Sequence, residues 1–410
     1  MRCRKKATTL ATIASLPDDI LANIHGRLSL LDRLASAAVF RASSAPLKPE
    51  TPWLLLRGRT PETATLFSIS DRCSITVSAP EPALRGHVVL GSSSDGWLVT
   101  ADDRAKMRII NPVTGEQRVL PAITTIPCLF EQHGHFVLDL KRFGRAPLHP
   151  VYDNYLSDWT HMITVQSMCA KNMRSFCRKV VLSNSPPCPA AMMITGTQFG
   201  FVAFATAKGG TWRLARDGVD LAKTVCGTTP SPDGVEDAIH YEGRFYSITY
   251  SGQVEAWEHD ADDVGVFTSV VVAPRLLLPA DLDHRKYLVG APGGRLMVVV
   301  REATHGYQEL PSFKVQVLDA GGEEWRETDD IGDATLFVGG KSSLCVTTRE
   351  HPELKAGCIY YANEGYVDEY DGSANRVKVF SLKDGTAEKV EGLRRRQTNP
   401  RPAWFTPCIP

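Results

Sequence analysis

No stretch of this 410-residue chain approaches the roughly 18 consecutive apolar side chains that a helix needs to cross a bilayer. Paired cysteines are missing too. The ten cysteines (3, 73, 128, 169, 177, 188, 226, 345, 358 and 408) are scattered without a C-x-x-C pair, which excludes both zinc-site spacing and the cysteine density of a small secreted scaffold. Reduced thiols in a cytoplasmic or nuclear protein are expected. Overall charge is absent: 46 Lys and Arg balance 46 Asp and Glu. The chain also lacks a G-x-S-x-G elbow, a P-loop, an H-E-x-x-H helix and a G-x-G-x-x-G turn after a strand, so nothing concentrated enough for catalysis is visible. No catalytic residue, metal or cofactor is expected.

The charge that is present lies unevenly. Residues 1–60 hold ten Lys or Arg against four Asp or Glu. Between Asp217 and Asp283 thirteen acidic residues face three basic ones. That stretch is unsuited to a phosphate backbone, which needs clustered Lys and Arg, and suits a basic partner or a set of solvated turns. Isolated polar groups read as surface features. His133 and His135 lack supporting ligands for a metal. Asp260–Asp263 and Asp368–Asp371 lack the spacing and final Glu of a calcium loop. Arg394-Arg395-Arg396 is a short basic run, and Thr229-Pro230-Ser231-Pro232 reads as a turn with possible access for a proline-directed kinase.

Near the amino terminus two short amphipathic helices are predicted. Ser15 can cap the first, Pro17 suits its first turn, and Asp18 and Asp19 complement its positive end. Ile20, Leu21, Ile24 and Leu28 then form an apolar stripe of helical period, and Gly26 is a natural stop. Ser29 restarts the pattern with Leu30, Leu31, Leu34, Ala38 and Val39, and Pro46, Pro49 and Pro52 prevent a long continuation. A helix pair this small must bury its stripe against a second surface, whether another protein or the domain that follows. Leu16-Pro17-Asp18-Asp19-Ile20-Leu21, Ile24, Arg27-Leu28, Leu30-Leu31-Asp32 and Val39-x-Arg41 resemble an F-box. The resemblance implies docking onto a Skp1-type adaptor through Leu16, Pro17, Ile20, Leu21, Ile24, Leu28, Leu30, Leu31 and Leu34. At its far end the sequence departs from the family's Val-Cys-Arg-x-Trp-Arg: Phe40 stands for the cysteine, and Ser43 and Ser44 for the tryptophan and arginine.

Beyond Trp53-Leu54-Leu55-Leu56 the pattern changes to short strands separated by Gly, Asp, Asn and Pro. Six segments share a layout of strand, polar turn and strand: 107–110 with 117–120, 162–165 with 177–181, 212–214 with 221–225, 254–257 with 266–270, 314–318 with 325–327, and 377–380 with 387–390. Their turn centres fall near 115, 172, 217, 261, 321 and 384. Four antiparallel strands with turns occupy about 40–50 residues, so these steps predict a mainly β chain with a propeller of about six four-stranded blades. Apolar runs at 96–100, 200–204, 244–248 and 295–300 supply inner strands. An irregular sandwich, or two β domains, is the alternative.

A second resemblance covers the same region. Gly91-Ser92-Ser93-Ser94-Asp95-Gly96-Trp97-Leu98-Val99-Thr100 with Asn111-Pro112-Val113-Thr114-Gly115 is one part, and Asp330–Gly339 with Ser342–Val346 another. Gly357–Tyr361, Val379–Gly385 and the ending Pro402-Ala403-Trp404-Phe405-Thr406-Pro407 complete it. In this order they resemble the KIB-type β-propeller found behind an F-box in a large plant family. The combined resemblance implies a basic arm at 1–11, an F-box at 12–50, a propeller at 60–391 and a Pro/Arg-rich tail at 392–410. It implies the substrate-recognition subunit of an SCF-type ubiquitin ligase in the cytoplasm or nucleus, with an organelle address in the basic arm as the minor alternative. A propeller scaffold with a non-functional F-box and a propeller-fold hydrolase are the other readings.

Overall fold

The computed structural model describes residues 17–28, 32, 50–58, 60, 62–78, 84, 87–102, 104–127, 129–132, 135–138, 163–165, 176–183, 190–195, 202–206, 209–215, 234–259, 266–277, 284–302, 311–362, 377–393 and 402–407. Its longest described helix is α1 (Asp18–Arg27), and a single 3-10 turn spans Ile123–Thr125. Nearly everything else is sheet. Blade 1 joins the strand Ala403–Phe405 to Trp53–Arg57, Thr63–Ser68 and Cys73–Ser78. Blade 2 runs Val88–Ser92, Leu98–Ala101, Met107–Ile110, Gln117–Leu120, and blade 3 runs Cys177–Leu182, Ala190–Thr195, Val202–Thr206, Arg213–Leu214. Blade 4 comprises Val235–Tyr241, Arg244–Thr249, Val254–His259 and Phe267–Ala273, and blade 5 Arg285–Ala291, Arg295–Arg301, Phe313–Leu318 and Trp325–Thr328. Blade 6 has five strands. Ser342–Thr347 is innermost, followed by Ala334–Gly339, Cys358–Ala362, Val377–Ser381 and Thr386–Lys389. Within it Ala334–Gly339 and Cys358–Ala362 pair in parallel.

The innermost strand of each blade contacts that of the next, and blade 6 returns to blade 1, so the six blades close a ring. Burial follows from that geometry. A propeller blade is covered on both faces, so alternate side chains of one strand must serve two different cores. Trp53 and Leu55 pack with Leu98 and Ile110 of blade 2. Leu54 and Leu56, pointing the other way, pack with Phe337, Tyr360 and Val379 of blade 6. Among the described residues there is one apolar cluster at each of the six interfaces between blades. The continuous run Trp53-Leu54-Leu55-Leu56 is thus a strand with two buried faces.

Six blades agree with the spacing, but their membership differs from the expected hairpins. The pairs at 107–120, 254–270, 314–327 and 377–390 are the outer two strands of blades 2, 4, 5 and 6. The expected pairing of 162–165 with 177–181 does not occur. Ile163–Val165 pairs with His135–Leu138 in a separate three-stranded sheet, and Cys177–Leu182 pairs with Ala190–Thr195. Cys177, Val180 and Leu182 fill the interface with blade 2 while Val181 fills that with blade 4, so this is an innermost strand and pairs outward. Residues 221–225 lie outside the described residues. The expected first strand of that pair, Arg213–Leu214, is the outermost described strand of blade 3 and pairs with Val202–Thr206, and blade 1 has the outer hairpin Thr63–Ser68 with Cys73–Ser78. The bounds 60–391 leave out two strands of that blade, Trp53–Arg57 and Ala403–Phe405, which pair with each other across the whole length of the ring.

Blades 2 and 3 approach most closely at Gly91, where a Cβ would sit 1.7 Å from the carbonyl oxygen of Val180. Gly115, by contrast, turns at φ +74° in open space; it closes the loop in which Asn111 Oδ1 accepts from the amides of Val113 (2.9 Å) and Thr114 (3.2 Å). Gly91→Ala should therefore cost on the order of 3 kcal/mol or more in urea unfolding, because backbone must move. Gly115→Ala should cost about 1 kcal/mol, for dihedral strain alone. Equal costs would show that the blades have room to part.

Candidate functional site

Two places in the molecule present chemistry that the core does not consume. The first is α1. Ile20 donates its amide to Pro17 O at 3.1 Å, opening the helix where Pro17 and the two aspartates predict. It runs through Gly26 to Arg27, a residue past the expected stop. Ile20 and Ile24 lie one turn apart, each 44% exposed, Pro17 is exposed, and Leu28 is half-buried. Leu21 lies within the helix. Asp32, the described residue of the second expected helix, is helical. Leu16, Leu30, Leu31 and Leu34 lie outside the described residues, as do His133, Thr229–Pro232, Asp260–Asp263, Asp368–Asp371 and Arg394–Arg396. His135 stands in a strand.

The second place is the central channel. Its seam gathers pieces that are far apart in sequence. The carbonyl oxygen of Trp404, in the closing strand of blade 1, accepts from Ser92 Oγ of blade 2 (2.6 Å) and Ser342 Oγ of blade 6 (2.9 Å). Its indole N–H donates to Val338 O at 3.1 Å. A carbonyl has two lone pairs, and both are used. The serine-rich segments of blades 2 and 6 and the Trp404 ending thus meet at one point.

Beside the seam lies a layer of charge. The innermost strands of blades 3, 4 and 5 each carry two adjacent charged residues within their first three positions, Arg178-Lys179, Glu236-Asp237 and Arg285-Lys286. In blades 3 and 4 the register shifts at these pairs; a bulge of this kind re-aims a side chain that would otherwise alternate away. Lys179 Nζ donates to Asp237 Oδ1 at 2.8 Å, with side chains only 3% and 0% exposed. Asp237 Oδ2 accepts from the amide of Leu288 in blade 5 at 2.9 Å. Glu236 is shared by Lys286 (3.2 Å), Arg285 (3.1 Å) and, at 3.9 Å, Arg178. Burial pushes the Glu236 carboxyl up to about 7, against the pull of Lys286 and Arg178. Arg178 also donates to the hydroxyl of Tyr250, and its guanidinium lies 5.5 Å from that ring's centre.

None of these six residues belongs to a recognisable sequence motif. Their signal is a charged pair ahead of an apolar run, repeated in three strands and meaningful only once those strands are known to converge. The layer also changes the reading of the acidic stretch 217–283, since two of its carboxylates, Glu236 and Asp237, are buried and paired inside the ring. Among the described residues no group of three or more His, Cys, Asp or Glu is placed to hold a metal.

Removing one partner of a buried ion pair leaves a charge without compensation, at a cost of about 3–5 kcal/mol. Lys179→Met should lose about that much in urea unfolding. Adding Asp237→Asn should restore most of it, because the amide oxygen still accepts from Leu288 while the charge is gone. A double variant as unstable as Lys179→Met alone would show that packing, not charge, sets the cost.

Several known proteins are similar to this chain. The F-box protein SKIP23 of Arabidopsis thaliana is 21% identical over an alignment of 422 positions, gaps included, that covers 96% of this chain and 95% of that protein. A second F-box protein of the same plant is 21% identical over 335 residues, covering 76% of this chain and 74% of its own. A third, described as an F-box/kelch-repeat protein, is 29% identical over 141 residues, or 32% of this chain and 34% of its own. Among solved structures, the WD40 domain of SCAP from fission yeast covers 80% of each chain at 10% identity and a TM-score of 0.32. The family model of the KIB1-4 β-propeller matches residues 66–381. With its six closed blades and a helix set ahead of them, this chain is a member of the KIB1-4 β-propeller family, related along nearly its full length to plant F-box proteins.

Proposed function

We propose that the chain is the substrate-recognition subunit of an SCF-type ubiquitin ligase. On this reading the amino-terminal F-box holds a Skp1-type adaptor, and through it a cullin–RING assembly, while the propeller holds a target protein. The observation that carries the reading is α1, with Ile20 and Ile24 exposed one turn apart in a chain whose full-length relatives are F-box proteins. An aliphatic pair facing water gains about 25 cal/mol for each Å² that a partner covers, and a 10-residue helix is too short to be stable alone in water. Docking supplies both needs. Leu16, Pro17, Leu21, Leu28, Leu30, Leu31 and Leu34 complete the proposed contact.

The subunit is proposed to make and break no covalent bond. Holding target and ubiquitin-charged machinery in one assembly raises their effective concentration, and that is its contribution to rate. No cofactor enters this account, and its setting is the cytoplasm or nucleus. The propeller suits target binding physically, because loops carried on a rigid closed ring lose little entropy when they dock.

Ser43 stands where an F-box usually has tryptophan, and loss of such an aromatic anchor costs on the order of 2 kcal/mol at an interface. Adaptor binding by calorimetry should therefore be measurable yet about tenfold or more weaker than for an F-box that keeps this residue. Ile20→Asp with Ile24→Asp should abolish it while leaving urea unfolding of the propeller unchanged. Undiminished adaptor binding by that variant would remove the ligase assignment.

A further inference from the structure

An outermost propeller strand is paired on one side, and a row of amides and carbonyls faces outward along the other. Four blades guard that edge with shortness and charge. Their outermost strands, Gln117–Leu120, Arg213–Leu214, Trp325–Thr328 and Thr386–Lys389, are two to four residues long and each carries a charged side chain. Blade 1 ends in Cys73–Ser78, which is uncharged but exposes Cys73, Ser74, Thr76 and Ser78 and no large apolar side chain. Blade 4 has none of these protections. Its outermost strand Phe267–Ala273 is seven residues long, without charge or proline, and exposes Val270 (51%) and Val271 (55%).

Both faces of this strand are apolar at the rim. Val271 lies opposite Glu255, on the side of Trp257 and blade 3, and Val270 lies opposite Ala256, on the side of Val254 and blade 5. The strand bulges at Val272, where the register shifts opposite Val254 and Glu255. At that end blade 5 reaches it, the indole N–H of Trp325 donating to Pro274 O at 2.7 Å. Phe267–Val271 is left as the open edge, and no described strand pairs with it.

Charge narrows the choice of partner. On the rim of blades 4 and 5, Arg244 pairs with Glu258 (3.3 Å), Lys314 with Glu302 (3.1 Å) and Arg326 with Glu324 (3.3 Å). Beyond these pairs the described rim holds Glu255, Asp319, Glu323 and Glu327 against Arg275. Gln253 donates to Glu255 and Gln316 to Glu327, at 2.9 Å each, and these neutral amides leave the charge in place. Glu327, two residues past Trp325, points to the same side, toward blade 4. Opposed charge steers encounter with a basic partner and rejects an acidic one. A second copy of this chain is disfavoured on the same ground. Two-fold pairing would set the acidic rims against each other, and one short strand a side falls well below the roughly 1,000 Å² that a stable interface buries.

We propose that the outer edge of blade 4 at Phe267–Val271 takes up an extended, lysine- or arginine-bearing segment of a partner protein as a fifth strand. Main-chain hydrogen bonds supply the pairing, and Val270 and Val271 receive alternate apolar side chains on the two faces. That the partner is the ubiquitination target rests on the receptor reading above. The strand addition itself needs no adaptor.

The test selects a phage-displayed library of random dodecapeptides on the full chain and compares it with Val270→Lys/Val271→Lys. Both side chains are exposed, so the variant should unfold in urea as the unaltered chain does. Selected peptides should alternate apolar residues and carry Lys or Arg in excess of Asp and Glu. Made synthetically, they should bind the variant about tenfold or more weaker. Methylating one alternate set of the peptide's backbone nitrogens should abolish binding and methylating the other should not, since a single set faces the edge; this control decides the matter if the variant fails to fold. Ile20→Asp with Ile24→Asp should bind the peptides undiminished, which keeps failure of adaptor docking distinct from failure of strand addition. No enriched peptide, peptides of net negative charge, equal binding by the lysine variant, or equal effects of the two methylated sets overturns the inference. Dimerisation of the unaltered chain that the lysine variant abolishes also overturns it, by giving the edge to a second copy.

Discussion

The ring depends on three residues at the far end of the chain. Ala403–Phe405 is the innermost strand of blade 1, and it pairs with Trp53–Leu55, so the last described strand of the chain is sealed against the first. Its contribution to ladder hydrogen bonding is small because it is short. Its leverage comes from Trp404, which is fully buried, accepts from both neighbouring blades and stacks edge-on against Phe337 at 5.0 Å. Without it, blade 1 would expose the edge of Trp53–Arg57 along the channel, and blades 2 and 6 would each lose a wall. Unpaired edges of this kind are costly and prone to aggregate. In the ring the inner edge of each blade is instead flanked by the innermost strands of its two neighbours.

Closure also accounts for the charge inside. Six innermost strands converge on one axis, and a space lined from all sides by backbone and small side chains is hard to fill with apolar groups alone. Serines and a charged layer fill it instead. The carboxylates of blade 4 act as cross-links, Asp237 reaching Lys179 of blade 3 and an amide of blade 5, Glu236 reaching both residues that open the strand of blade 5. Ion pairs of this kind contribute little net stability compared with apolar packing, but mispairing them is expensive. They therefore favour one register of neighbouring blades over its alternatives. Apolar clusters between blades supply the bulk of the driving force, and the polar axis selects how the blades line up.

Legibility in the sequence divides along the same line. Features that depend on near neighbours were readable. The cap residues Pro17, Asp18 and Asp19 marked the start of α1, and the turn at Asn111–Gly115 marked a hairpin through its Asx geometry. The run Trp53-Leu54-Leu55-Leu56 was visible but not its meaning, since two buried faces look the same as one long apolar segment. The closing strand could not be read from periodicity at all. It is three residues long between prolines, its partner lies some 350 positions earlier, and its composition matches that of a Pro/Arg-rich tail. The same limit misplaced the hairpin around residue 172, where a separate sheet interrupts the repeat. The charged layer was hidden for another reason: Glu236 and Asp237 sit in the most acidic part of the chain, where they read as surface, and only convergence of three strands reveals them as interior.

This chain is one cooperative ring closed by the strand Ala403–Phe405. Urea unfolding of a chain ended at residue 400, followed by hydrogen exchange of its amides, tests it most directly. The account predicts a broad transition at much lower urea, with protection lost in Trp53–Arg57, in Val88–Ser92 and in Ser342–Thr347 together. A truncated chain that unfolds at the same urea concentration, with protection intact in those three strands, would contradict it.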